Sequence, residues 1–157
     1  MGVTYDSGAL IAADKGERRM WARHRALLVH REVPTAPAAV VAQSWRGSGR
    51  QAQLARLLAG CYVEGLHDAR ARSAGSLAAE AATTDVVDAC VVDGALRRGD
   101  LVVSSDHDDL RRIADAVGRR LEIDHPLTRR PYVAEDPSSA ACRQLAFTAC
   151  SRSASHA

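Results

Sequence analysis

Short apolar segments alternate with helical segments along most of the chain, and this alternation restricts the folds that the chain can adopt. Strands are expected at residues 3–5, 33–35, 62–64, 101–104 and 121–123. Strands that alternate with helices usually lie side by side in parallel, with helices covering both faces of the sheet. The sequence therefore predicts an α/β fold: a three-layer α/β/α sandwich around a central, mainly parallel sheet of about five strands.

Helical periodicity predicts the segments that connect these strands. A first helical segment follows Ser7, and further helices are expected at residues 17–30, 38–46, 51–58, 67–73, 75–82, 85–98 and 106–117. A kink or break is expected between residues 73 and 75, because a glycine stands there. The buried side of the 17–30 helix is predicted to carry Met20, Trp21, Leu27 and Leu28.

The length and the composition together predict one folded domain followed by a tail. A chain of 157 residues is long enough to build one hydrophobic core. We expect residues 1–126 to form that domain. Residues 127–157 are rich in Ser, Ala, Arg and Pro and have no clear hydrophobic period. This composition indicates a largely disordered tail, with a short helix at residues 142–149.

Charge and cysteine content exclude several classes of protein. The formal net charge of +2 is too small to indicate nucleic-acid binding by itself. The four cysteines, Cys61, Cys90, Cys142 and Cys150, have no C-x-x-C spacing, which argues against a zinc ribbon. The sequence has no signal peptide and no apolar run of about 18 residues, so we expect a cytoplasmic protein without a membrane segment.

Three aspartates stand where predicted strands and helices meet. Asp6 follows the first strand, Asp88 lies near the start of the 85–98 helix, and Asp106 follows the fourth strand. In a sheet of this kind such junctions gather at one edge, so we expect the three carboxylates to share a site. Carboxylates packed together repel each other unless a cation lies between them, and oxygen ligands suit Mg²⁺ or Mn²⁺. Hydrolysis by metal-activated water is then the simplest chemistry, because no nucleophile with its own base is evident.

Each of these acids also has a purely structural interpretation. Asp6 could cap the helix that follows it, and Asp106 could cap its own helix in capping-box spacing with Asp109. Asp85 favours the start of its helix through the helix dipole. The remaining acids in this part of the chain, Asp93 and Asp108, are expected to be solvated.

Polar residues outside the aspartates add weaker candidates. Gln43 follows Val40, Val41 and Ala42, so its amide either faces a pocket or is half-exposed. In a pocket, its amide oxygen could accept a hydrogen bond from a metal-bound water or contact the metal weakly, which makes Gln43 a catalytic candidate beside Asp6, Asp88 and Asp106. The guanidinium of Arg46 could contact RNA phosphate or could simply be solvated. The histidines have no metal-ligand spacing. His107 in particular is expected to be exposed.

Four segments in order make residues 1–126 resemble the PIN-domain family, and most closely its VapC-type toxins. They are VTYDSGALIAA at residues 3–13, PAAVVAQSWRG at 37–47, TDVVDACVV at 84–92 and GDLVVSSDHDDLRRIA at 99–114. Each segment alone is a weak signal, whereas all four in the family's order are a strong one. The resemblance implies an α/β/α sandwich and a Mg²⁺- or Mn²⁺-dependent endoribonuclease. It also implies an RNA substrate, often tRNA or rRNA, a cognate antitoxin as partner, and a homodimer.

The resemblance also implies roles for individual residues. The family's first, third and fourth acids fall on Asp6, Asp88 and Asp106, with Asp109 as a supporting metal ligand. The family's Thr/Ser before the last acid is matched by Ser104 and Ser105. We assign to substrate binding Ser7, Ser104, Ser105 and Arg46.

One position departs from the family pattern. Gln43 stands where the family commonly has Glu, so the site loses one negative charge and should bind metal more weakly. This departure leaves a second hypothesis open, a catalytically weakened PIN scaffold that binds antitoxin or RNA without cleaving it. A phosphate-receiving signalling domain is a third hypothesis. It is disfavoured because that class needs a Lys at the end of a late strand, and Lys15 is the only Lys.

Overall fold

The computed structural model describes residues 1–128 of the chain and contains one five-stranded sheet. The predicted tail therefore lies outside the described residues, apart from its first two positions. The strands are β1 (Val3–Tyr5), β2 (Thr35–Pro37), β3 (Tyr62–Glu64), β4 (Leu101–Val103) and β5 (Ile123–Asp124). Every neighbouring pair is parallel, and the strand order is β3-β2-β1-β4-β5. The predicted three-layer α/β/α fold with a parallel sheet of five strands is confirmed.

Within residues 1–128, seven α-helices connect and cover the strands. They are α1 (Ser7–Asp14), α2 (Arg18–Val29), α3 (Ala38–Ser44), α4 (Ala52–Leu58), α5 (Asp68–Glu80), α6 (Val86–Arg98) and α7 (His107–Ala116). A short 3-10 helix, Gly49–Gln51, precedes α4. No helix within residues 1–128 is long and apolar enough to cross a membrane.

The strand order places two strand ends together at the centre of the sheet. The chain runs outward from β1 to β2 and β3, then returns to the other side of β1 to form β4 and β5. Tyr5, the last residue of β1, pairs with Val103, the last residue of β4. Asp6 and Ser104 consequently leave the sheet side by side. A crevice at such a reversal of strand order is where open α/β sheets bind their ligands.

Small aliphatic side chains build most of the core, as the scarcity of aromatic residues in the sequence requires. Among the largest buried side chains are Tyr5, Leu10, Met20, Leu54, Val91, Val102 and Ile113. Helix α6 is the most enclosed helix, because it packs against α3, α5, α7 and the sheet. Its glycine Gly99 adopts the left-handed conformation at the C-terminal end, where only glycine has no steric cost.

Several predicted boundaries were wrong. Strand β2 begins at Thr35 instead of residue 33, because Val33 is exposed while Thr35 pairs with both neighbouring strands. Helix α3 ends at Ser44, and β5 begins two residues later and ends one residue later than predicted. Helix α5 is continuous through Gly75, where an added Cβ would meet no other atom, so the glycine neither packs nor bends the helix. Leu28 is exposed, contrary to the prediction that it is buried.

A network of ion pairs that the sequence did not predict joins the C-terminal end of α6 to the sheet. Arg98 donates to Asp100 Oδ2 and Glu64 Oε2 at 2.6 Å each, and to Thr4 Oγ1 at 2.8 Å. Thr4 Oγ1 in turn donates to Asp100 Oδ2 at 2.7 Å, and Arg97 also pairs with Glu64. Asp100 is buried, and a buried carboxylate without partners would destabilise the fold; this network supplies its partners.

Candidate metal and catalytic site

Asp6 occupies the position directly after β1 and is buried, with 2% of its surface exposed. Its backbone N–H donates to Val103 O at 3.1 Å, which extends the β1–β4 pairing by one residue. Its Oδ2 accepts a 2.6 Å hydrogen bond from Ser104 Oγ. Its Oδ1 is buried and accepts no hydrogen bond within residues 1–128. An unsatisfied carboxylate oxygen held in place by the sheet is costly unless a cation or a proton donor reaches it.

Ser104 connects the two central strand ends through one hydroxyl group. Its Oγ donates to Asp6 and accepts a 2.9 Å hydrogen bond from the backbone N–H of Asp106. The side chain is fully buried, so its geometry favours a role in positioning Asp6 over a direct contact with substrate. Gly8 makes room for the same loop, because a Cβ there would lie 2.3 Å from Ser105 Oγ.

Asp88 projects from the first turn of α6, whose N-terminus is capped by Asp85. Asp85 Oδ1 accepts hydrogen bonds from the backbone N–H groups of Val87 and Asp88, each at 3.0 Å. Burial first, and then repulsion from Asp85, Asp6, Asp106 and Asp109, together raise the pKa of Asp88 to about 7. The chain therefore brings four carboxylates within electrostatic reach of Asp88, and Asp88 and three of these four, Asp6, Asp106 and Asp109, are the predicted metal ligands.

The acids around α7 differ from the prediction in one respect. Asp106 stands at the N-cap position, yet its side chain accepts no hydrogen bond from the helix, so the predicted capping role was wrong. Its carboxylate is exposed, as is that of Asp109, which pairs with Arg112 at 3.5 Å. Asp106 is therefore available to a ligand in solution.

His107 was expected to be exposed and is instead half-buried. Its Nε2 lies 2.9 Å from Ser104 O, and its ring stands 6.1 Å from that of His125. These contacts fix the loop between β4 and α7, which carries Asp106. The sequence offered no signal for them, because His107 stands outside any hydrophobic period.

The donor set of the cluster suits a hard divalent cation, although the side chains are not gathered as ligands. All the groups offered are carboxylate oxygens, which prefer Mg²⁺ or Mn²⁺. Within residues 1–128, no three acidic, histidine or cysteine side chains are close enough together to form a ready metal site. The unsatisfied oxygen of Asp6 and the raised pKa of Asp88 are the two observations that fit a cation.

The other predicted site residues lie at the surface or near it. Gln43 is exposed, and its amide forms no hydrogen bond within the described part of the chain, so its role in the site stays a prediction. It lies on α3, which packs against α1 and α6, the helices next to Asp6 and Asp88. Arg46 is exposed, Ser7 is half-buried and Ser105 is exposed.

One polar residue near α3 was missed by the sequence reasoning. Gln51 is buried, accepts a 2.6 Å hydrogen bond from the backbone N–H of Arg46, and donates to Ser44 O at 2.9 Å. It thereby holds the loop after α3 in place. A glutamine directly before a leucine-rich helix carries no recognisable signal for this role.

Comparison with known proteins identifies similar folds only among solved structures. No family model matches the chain, and no curated protein does. VapBC2 from Rickettsia felis, bound to a DNA fragment from its promoter, matches with a TM-score of 0.61 and 14% identity over 80% of this chain and 98% of that one. FitAB bound to IR36 DNA matches with a TM-score of 0.57 and 13% identity, over 83% and 99%. PAE2754 from Pyrobaculum aerophilum matches with a TM-score of 0.54 and 17% identity, over 93% and 90%.

These likenesses concern the fold. The described residues have the PIN-like α/β/α architecture that the four sequence segments implied, and they share it with chains that are matched over nearly their whole length. The identities are too low to transfer individual residues from those proteins to this one.

Proposed function

We propose that this chain, with its PIN-like fold, is a Mg²⁺- or Mn²⁺-dependent endoribonuclease of the VapC type. The observation that supports it best is the acid cluster at the reversal of strand order, where Asp6 retains an unsatisfied buried oxygen and where burial and neighbouring carboxylates raise the pKa of Asp88. A cluster of this kind is characteristic of sites that need a cation to neutralise it. The substrate class, RNA, follows from the resemblance of the four sequence segments to VapC toxins.

In this proposal Asp6, Asp88 and Asp106 hold the metal, and Asp109 supports them. A bound Mg²⁺ would supply an activated water and would stabilise charge on the phosphate during hydrolysis. The contribution of the chain itself is positional. Ser104 fixes one oxygen of Asp6 by a 2.6 Å hydrogen bond, and the other oxygen, which has no hydrogen-bond partner within residues 1–128, would be the one to hold the metal.

In this proposal Asp88 also makes metal binding depend on pH, because its protonation state depends on whether a cation lies among the acids. With a pKa near 7, roughly half of the Asp88 side chains are neutral at neutral pH when no cation is present. A cation among the acids would favour the charged form, so metal affinity should rise steeply with pH between about 6 and 8.

The partner, the oligomeric state and the location belong to the same proposal. We propose that a cognate antitoxin binds and inhibits the chain, that the active form is a homodimer, and that it works in the cytoplasm on tRNA or rRNA. The likeness to VapBC2 and FitAB, which are both named as two-component assemblies, supports the antitoxin partner.

The decisive experiment uses the purified chain, free of antitoxin, with total tRNA and structured RNA in the presence of Mg²⁺ or Mn²⁺. Discrete cleavage is expected. EDTA and Asp6→Asn should each abolish cleavage. Asp108→Asn should leave cleavage intact, because Asp108 is exposed and is not among the acids that raise the pKa of Asp88. Equal cleavage by the wild-type chain and Asp6→Asn would overturn the site, provided that both show the same cooperative melt.

A weakened scaffold is the second candidate, and Gln43 is the observation that favours it. Gln43 is neutral and exposed where the resemblance would place an acid, so the site has one charge fewer for holding metal. The substitution Gln43→Glu separates the two functions. If the original chain is inactive and Gln43→Glu cleaves RNA in Mg²⁺, the scaffold interpretation is correct. If both cleave, the nuclease interpretation stands.

A further inference from the structure

A cationic groove lies on the face of the molecule formed by α2 and α4, away from the acid cluster. It has a volume of about 660 Å³ and is lined by residues of α2, by α4, and by Gly16, which follows the end of α1. Asp6 stands at the opposite end of α1. Since α1 has eight residues, the groove begins about 12 Å from the acids.

Four arginines give the groove its charge. Arg18, Arg19, Arg25 and Arg56 line the groove and are exposed. None of the four forms an ion pair within residues 1–128, and no acidic residue in that part of the chain lines the groove. The neighbouring Arg23 differs, because Asp124 holds its guanidinium at 2.6 Å.

An aromatic ring holds one of these guanidinium groups in position. Trp21 is anchored by its indole N–H, which donates to Ala13 O at 3.0 Å. Arg56 lies over the indole ring, with its Cζ 5.5 Å from the ring centroid. A stacked guanidinium keeps its N–H edge available for a bidentate contact with an anion. Less side-chain entropy is then lost when Arg56 binds its ligand.

We infer that this groove binds the phosphate backbone of the RNA substrate and serves as an anchoring site distinct from the acid cluster. This inference rests on the proposed function. The cluster of five carboxylates repels RNA phosphates, so affinity for RNA must come from another part of the surface. Four exposed arginines that form no ion pair within residues 1–128, beside an aromatic ring, provide the positive charge and the aromatic surface that favour binding of single-stranded nucleic acid. A strand long enough to reach past α1 contacts both sites, with its scissile phosphate at the acids.

The test measures binding without cleavage, using the full wild-type chain in EDTA and a fluorescent single-stranded RNA of about 16 nucleotides. If the four arginines each neutralise one phosphate, the logarithm of affinity should fall with the logarithm of salt concentration with a slope of about −2.8. Arg18→Gln/Arg25→Gln should halve that slope to about −1.4. At low salt, this double variant should bind the RNA about tenfold or more weakly than wild type.

Two matched variants separate the groove from net charge. Arg72→Gln/Arg120→Gln removes the same charge from exposed positions outside the groove and should leave both slope and affinity near the wild-type values. Arg18→Lys/Arg25→Lys keeps the charge and should retain the slope. Equal losses in the two Gln double variants would overturn the inference, because affinity would then reflect overall charge.

A second arm of the same experiment tests whether the groove instead binds an acidic protein segment. Binding of a peptide of alternating Glu and Asp is measured with the same wild-type and variant proteins. Groove-dependent binding of the peptide without binding of RNA would overturn the inference. Because metal is absent, the outcome is independent of catalysis. A chain that binds RNA through the groove but never cleaves it would overturn only the proposed nuclease.

Discussion

Neutralising Asp88 should stabilise the protein at alkaline pH, and the size of the effect follows from the acid cluster. Burial and four neighbouring carboxylates raise the pKa of Asp88 from 3.8 to about 7. The folded protein therefore binds more protons than the unfolded chain between about pH 4 and 7, so the free energy of unfolding falls as pH rises through that range. The full difference in pKa corresponds to a ceiling of about 4 kcal/mol.

Two opposing effects reduce that ceiling. Asp88 is only half-buried, so solvent screens much of the repulsion, and roughly 1–2 kcal/mol remains. A negative charge in the first turn of α6 also interacts favourably with the helix dipole, by about 0.3–1 kcal/mol, and Asp88→Asn loses that contribution. The expected net gain for Asp88→Asn is therefore about 1 kcal/mol at pH 8, and it should disappear near pH 4.

Urea unfolding of wild type and Asp88→Asn from pH 4 to 9 measures this difference directly. Asp108→Asn is the matched control, since Asp108 is exposed and does not contribute to the raised pKa of Asp88. Adding Mg²⁺ at pH 8 should raise the stability of wild type more than that of Asp88→Asn. If Asp88→Asn is less stable than wild type by the same amount at pH 4 and pH 8, the repulsion within the cluster is refuted.

Three further changes address other parts of the structure. Arg98→Ala should cost about 3–5 kcal/mol in urea unfolding because it leaves buried Asp100 uncompensated, whereas exposed Arg120→Ala should cost little. Ser104→Ala should cost about 1.5–3 kcal/mol by removing the charge-assisted hydrogen bond to Asp6, and Ser104→Thr should restore most of it. Burial lowers the pKa of His24, so the contribution of His24 to stability should fall as pH drops below about 6.5, against the opposing contribution of Asp88. The free energy of unfolding of wild type minus that of His24→Gln should therefore decrease from pH 7 to pH 5, and a difference that stays constant over this range would contradict the prediction.

The central part of the fold was predictable because periodicity and burial agree there. The predicted β1 was confirmed at Val3–Tyr5, and β4 was found within one residue of its predicted end. At the edges of the sheet, the hydrophobic pattern and the observed burial disagree. Val33 has the apolar side chain of a strand residue but is exposed, and the strand is formed instead by the pairing of Thr35 with Thr4 and Tyr62. Such pairing depends on residues far away in the sequence.

The candidate site shows the same division between local and distant information. Asp6 and Asp106 were predicted to share a site because each follows a strand, and the strand order places Asp6 beside Ser104, two residues before Asp106. The hydroxyl of Ser104 between them could not be assigned its partner, since a serine after a strand has many possible contacts. Asp85 was assigned to the helix dipole, and the structure adds two hydrogen bonds to backbone N–H groups.

Helix α6 determines which parts of the protein can open without unfolding the rest. Its N-terminal turn carries Asp88, its middle is buried in the core, and its C-terminal turn holds the ion-pair network through Arg98. Its amide protons should therefore exchange with solvent only through global unfolding. The N-terminus of α7, with exposed Asp106, can open locally. Ligand binding at the acids should consequently slow amide exchange in α7 while leaving α6 limited by the stability of the whole domain.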